Sequence, residues 1–205
     1  QLARLRPVLK LFRNKSRAPQ LVSASRYLGP IRRQVRMSRH SAPPAPWRTS
    51  GVFAVPGLEA IGFDRSGELL LVVSQEGRGV IDCVSGEKVA RKHGDTGAHQ
   101  PPHLLQAQGI GPLDGATVAM SGRHGGGLPR VTHDGWSLEV VTLEWPTQDV
   151  LLVPPGLSLF ATDEDGPARF TRIESDPDLQ ACGFSYTGRS LVVATATDLV
   201  IYHRD

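Results

Sequence analysis

The chain of 205 residues is predicted to be all-β, built as a repeat of short antiparallel meanders. Three observations carry that prediction. First, Leu58-Glu59-Ala60-Ile61-Gly62-Phe63-Asp64-Arg65-Ser66-Gly67 returns in partial copy 121 residues later as Leu179-Gln180-Ala181-Cys182-Gly183-Phe184-Ser185-Tyr186-Thr187-Gly188. A unit that recurs at a fixed distance is the mark of a repeat architecture. Second, both copies run into apolar, β-branched strands, Leu69 to Ser74 and Leu191 to Thr195, each followed by another, Arg78 to Cys83 and Asp198 to His203. Third, 22 glycines and 16 prolines suit many tight turns better than long helices.

Taken from its beginning, the chain has two electrostatic halves. Residues 1–58 hold twelve Lys or Arg and no acid, whereas residues 59–205 carry a net charge of −9. The overall +3 is therefore an average of unlike parts. Leu5, Leu9 and Phe12 share one helical face beside Arg6, Lys10 and Arg13, but Pro7, Pro19 and Pro30 restrict helix to short pieces. Residues 1–50 are accordingly expected to be a basic, poorly ordered extension and linker. Three sources fit it: an upstream extension before Met37 that is not native, an organelle transit segment, or an arm that holds phosphate by charge. Pro43, Pro44 and Pro46 mark the linker, and Trp47 is expected to dock on the domain edge or to offer a peptide contact.

The β-repeat domain is expected over residues 51–205. Gly51 to Val55 is a short strand stopped by Pro56-Gly57. Leu58 to Phe63 follows, then the turn Asp64-Arg65-Ser66-Gly67, the strand Leu69 to Ser74, and Gly79 to Cys83. Ser85-Gly86-Glu87 turns the chain into Lys88 to Arg91. A second meander is expected from Leu104 to Ile110, Ala116 to Ser121, Leu128 to His133 and Trp136 to Leu143. A third is expected from Asp149 to Val153, Leu157 to Ala161 and Arg169 to Ile173. The last, Leu179 to His203, lacks an outer strand, which Gly51 to Val55 can supply. Cys83 and Cys182 sit on strands and read as small buried apolar side chains, since two cysteines make no disulfide framework.

The segments Ala60 to Ser74 and Ala181 to Thr195, with Val80 to Cys83 and Leu199 to Tyr202 downstream and the Ser85-Gly86 turn, resemble blades of WD-repeat β-propellers. The Gly-His and Trp-Asp signatures of that family are absent. The resemblance implies three to four blades, with the first strand closing the last. An irregular β-sandwich or barrel is the alternative, and two chains completing one larger ring is another.

Few residues point to chemistry. His99 and His103, near His93, have a metal-ligand spacing only on a helix, which Pro101 and Pro102 oppose; His124 or His133 would complete such a site. Arg123, His124, Gly125 and Gly126 lie in a glycine-rich run, Ser121 to Gly127. Its glycines offer an anion cradle, and His-Gly-Gly-Gly matches an oxyanion-hole motif, but the G-x-S-x-G elbow that motif requires is missing. Asp163-Glu164-Asp165 is acidic enough for calcium yet lacks EF-hand spacing. No cofactor is expected. The expectation is a non-enzymatic, macromolecule-binding β scaffold, of the kind of a bacterial partner or immunity-type protein. A metal-dependent hydrolase or metal-binding protein using the loop histidines is the alternative. Another protein is the expected partner, and nucleic acid only through residues 1–36. The expected setting is cytoplasmic, or organellar if residues 1–36 are a transit segment. No apolar run is long enough to suggest a membrane span.

Overall fold

A computed structural model describes residues 25–95, 105–161 and 166–205. The described chain opens with helix α1 (Ser25–Met37) and strand β1 (Arg48–Ala54). It continues through β2 (Leu58–Phe63), β3 (Leu69–Ser74), β4 (Gly77–Asp82) and β5 (Glu87–His93). Short strands β6 (Gln106–Gln108), β7 (Thr117–Ala119) and β8 (Ser121–Gly122) follow, then β9 (Ser137–Glu144), β10 (Thr147–Val153) and β11 (Thr171–Asp176). The last three are β12 (Leu179–Phe184), β13 (Ser190–Thr195) and β14 (Asp198–His203).

Among the described residues all sheet pairings are antiparallel, and no sheet closes on itself. The strand orders are β5-β4-β3-β2-β8, β6-β7, β11-β10-β9 and β1-β14-β13-β12. The described chain is thus all-β in class, with one α-helix added. The two sequence copies have the same local geometry. Each inner strand shifts register after its first residue, between Leu58 and Ala60 in β2 and between Leu179 and Ala181 in β12. The same turn hydrogen bond closes both hairpins, Asp64 N to Leu69 O at 2.9 Å and Ser185 N to Ser190 O at 2.9 Å. The expected outer strand of the last meander is present: β1 pairs with β14 from Arg48↔His203 to Ala54↔Asp198.

The sheets stack because their central strands are apolar on both faces, as a strand buried from two sides must be. Ile61, Phe63, Val72 and Ile81 of the β2–β5 sheet pack against Val192, Ala194, Leu199 and Ile201 of the β12–β14 sheet. The opposite face of the latter, with Phe184, Leu191 and Val193, packs on Leu138, Val150, Leu152 and Ile173 of β9–β11. The opposite face of the former, Leu71, Val73 and Val80, is covered by Ala107 and Val118 of β6–β7 and by Ile110, Leu113 and Met120. The remaining face of β9–β11, with Leu151 and Val153, lies under Ile31 and Val35 of α1.

Residues 25–50 therefore correct the expectation of a poorly ordered extension. Ile31 and Val35 are each 2 % exposed, one helical turn apart on the covered stripe. Pro30 is tolerated inside α1, at the cost of one backbone donor. The helix ends where Ser38 donates both N–H and Oγ–H to Gln34 O. The next residues clip onto β11: Ser41 N donates to Arg172 O at 3.0 Å, and His40 Nε2 lies 2.8 Å from Ile173 O. Trp47 docks, as one of the two expectations had it. It meets Trp136 edge-on at 5.8 Å and Phe184 at 5.6 Å, with the Arg204 guanidinium 4.7 Å over its ring. The middle of the chain is divided differently from expectation. Trp136 to Leu143 belongs with the third meander as β9, Leu159–Ala161 is a 3-10 turn, and Leu128 to His133 forms no named strand.

Candidate binding groove

The hairpin β4–β5 and the strand β1 belong to neighbouring sheets and converge at one end. Gly86, at φ +71°, forms the hairpin turn against the backbone of Ser50; a Cβ there would stand 1.8 Å from Ser50 O, so only glycine fits. One step further along, the Lys88 ammonium lies 5.3 Å above the Phe53 ring. Beyond that the strands part, leaving an open groove of about 320 Å³ between them. Val55, Pro56, Val72 and Ile81 give it an apolar lining, and Lys88, Arg91, His93 and Glu76 also face it.

Strict alternation along β5 would put Lys88 on the opposite face from Arg91 and His93. A bulge prevents this. Val80 pairs with Ala90 but Ile81 pairs with Lys88, so Val89 is the extra residue. The parity of the strand changes there, and Lys88 joins Arg91 and His93 on the groove side. The other cations are used elsewhere: Arg78 Nη2 and Lys92 Nζ each hold Asp95 Oδ2 at 2.7 Å. Arg78 is 5 % exposed, which makes this pair structural.

The run Ser121 to Gly127 lies elsewhere, on β8, at the opposite edge of the same sheet from β5. Two of its glycines are positions of close approach. A Cβ on Gly122 would stand 2.0 Å from Glu59 O, and one on Gly126 would stand 2.1 Å from Met120 O. Gly122 and Gly125 exchange N–H···O bonds of 2.9 and 3.0 Å across a tight turn. Arg123 and His124 are exposed at its tip. The same logic explains the glycine shared by the two sequence copies. A Cβ on Gly62 would stand 2.3 Å from Ala119 O, and one on Gly183 would stand 2.3 Å from Leu128 Cβ.

His99, His103 and Asp163-Glu164-Asp165 lie outside the described residues. Of the other histidines weighed for metal, His93 faces the groove and His133 is exposed. Among the described residues, no group of three His, Cys, Asp or Glu is placed to hold a metal ion. Cys83 and Cys182 are free and buried, and burial pushes both thiols up.

One polar cluster escaped the sequence reading. Ser190 Oγ lies 3.0 Å from His203 Nδ1, Ser190 N donates to Ser185 Oγ at 3.0 Å, and Thr187 Oγ1 donates to Glu68. Ser190 and His203 are both fully buried. A serine beside a histidine suggests a nucleophile and its base, but no solvent reaches this pair, so its work is to tie β13 to β14. Burial holds the His203 imidazole below its usual pKa. The alternating residue types Ser190 and His203 lie thirteen apart with nothing local to link them, so only the β13–β14 register brings them together.

No helix among the described residues is long and apolar enough to cross a membrane. No family model, curated protein or solved structure matches this chain.

Proposed function

We propose that the protein is a non-enzymatic scaffold that binds another protein through the groove between β5 and β1. The observation that carries this reading is the groove itself: open to solvent, lined by apolar side chains, and bordered by Lys88, Arg91 and His93. Concave sites with apolar linings and a few oriented polar groups are the usual places for binding. The Ser190–His203 pair, the closest the described residues come to a nucleophile and base, is sealed in the core.

The blade-like reading belongs to the same proposal. In space the layers run β6–β7, then β2–β5, then β12–β14 with β1, then β9–β11. That is the chain order of the four sheets read as a circle and cut between β6–β7 and β9–β11. Helix α1 covers the cut face of β9–β11. A propeller-like stack offering its peripheral edges to a partner fits this order.

Two measurements test the proposal. Affinity isolation from the source cell should yield a partner that reconstitutes a 1:1 complex with the purified chain by calorimetry. Arg91→Glu should weaken that complex. Stoichiometric transition metal in the purified protein, lost in His99→Ala or His124→Ala, would instead favour the metal-site alternative. A complex indifferent to Arg91→Glu would remove the groove from the account.

A further inference from the structure

Resting on the groove as the partner site, we infer that its ligand is an extended acidic segment that adds to β5 as a further strand. Strand β5 is the outermost member of its sheet, and its residues are exposed apart from the half-buried Ala90. In an antiparallel ladder every second residue of an edge strand turns its N–H and C=O outward. Among the described residues β5 pairs with β4 only. An edge of this kind is where an extended peptide adds, main-chain bonds giving affinity and side chains giving choice.

The charge on β5 selects the occupant. Lys88 and Arg91 face the groove along seven residues whose acid is Glu87, at the closed end, while Lys92 is held by Asp95. Against a second copy of β5 these cations would face like charges, so the edge resists pairing with itself. Against a strand bearing carboxylates at alternate positions, the same cations become cross-strand partners. The Val89 bulge matters here, because it gathers Lys88 with Arg91 and His93 on the groove side. Carboxylates on one face of the incoming strand then meet all three. Glu76 stands among the groove residues and disfavours a carboxylate beside it. The body of the chain, net −9 over residues 59–205, leaves this strip as a local basic exception. Two exposed cations beside one histidine suit one acidic strand better than a polyanion's long backbone.

The test uses the full chain and fluorescence anisotropy with a labelled Glu-Val-Glu-Val-Glu-Val peptide. Its lysine counterpart and a version N-methylated at alternate amides serve as comparisons. At low salt the glutamate peptide should bind at least tenfold more tightly than the lysine peptide. Arg91→Glu should weaken it at least tenfold while leaving the thermal midpoint in place, since Arg91 is exposed. Lys88→Gln should weaken it less. N-methylation should abolish binding by removing the main-chain donors. Equal binding of the glutamate and lysine peptides, indifference to Arg91→Glu, full binding of the N-methylated peptide, or no binding at all would each overturn the inference. A reconstituted protein complex that responds to Arg91→Glu but is not competed by the peptide would leave the groove standing as the partner site and remove the added strand.

Discussion

Helix α1 gives the sharpest test of how this molecule is assembled. The perturbation is Ile31→Ala with Val35→Ala, two side chains that are each 2 % exposed against Leu151 and Val153 of β10. Burying an aliphatic side chain of this size is worth about 1.5–3 kcal/mol. Because the two residues sit on one stripe and share neighbours, their losses will not add independently. A combined loss of roughly 3–6 kcal/mol is expected, cavity terms included. Domains of this size have a total stability of about 5–15 kcal/mol, so the effect is a large share of the whole. Urea unfolding followed by tryptophan fluorescence reads it as a midpoint lower by on the order of 2 M, taking a slope of about 2 kcal/mol per M. Arg32→Ala, on the exposed side of the same helix, should stay within about 0.5 kcal/mol of the parent. Deleting residues 1–37 should do at least as much damage as the double variant and should leave Leu151 and Val153 open to hydrophobic dyes. If the double variant and the deletion both unfold with the parent's midpoint, α1 is no part of the core, and residues 1–37 are the detached extension that their composition suggests.

Gly126→Ala should cost more than about 2 kcal/mol, because its Cβ meets Met120 O at 2.1 Å and φ is +90°. Gly127→Ala, which meets nothing, should be neutral or slightly stabilising; equal effects of the two in a thermal melt would show that the run is free of the packing described above. Trp47→Ala should lose roughly 3–5 kcal/mol, since the indole fills a site between Trp136 and Phe184; denaturant melts check this, and a loss under 1 kcal/mol contradicts it. Stability should fall as pH drops below His203's unfolded value of about 6.5, where the unfolded imidazole takes a proton and the buried one does not. The slope attributable to His203 reaches at most about 1.4 kcal/mol per pH unit. His203→Asn should flatten that dependence, and an unchanged profile would exonerate the residue.

The repeat was legible because its determinants are local. In both copies a polar, glycine-ended turn joins two apolar strands, and Asp64 and Ser185 close those turns with equivalent bonds. Even the first strand's role as outer partner to the last could be reasoned from the missing fourth strand. Helix α1 was not legible, because Pro30 limits helix and an acid-free, arginine-rich run has the composition of a detached arm; only the apolar face of β9–β11 rewards Ile31 and Val35. The middle meanders were misdivided because periodicity does not tell which sheet a strand joins. Leu157 to Ala161 is apolar enough for a strand, yet Leu159–Ala161 turns as a 3-10 segment. At the groove, the cations of β5 were visible in the sequence, but their common side was not. Counting by twos sends Lys88 away from Arg91, and the Val89 bulge that reunites them depends on the pairing with β4.

The pairing of β1 with β14 has a consequence for how the chain is made. Ser50 Oγ reaches Ile201 O, a partner translated 151 positions later. During synthesis β1 emerges well before β14 and has no sheet to join until that strand follows. The sheet at the middle of the stack is thus the last to be finished, and a nascent chain halted before Asp198 keeps β1 as an unclaimed edge, open to other chains until release.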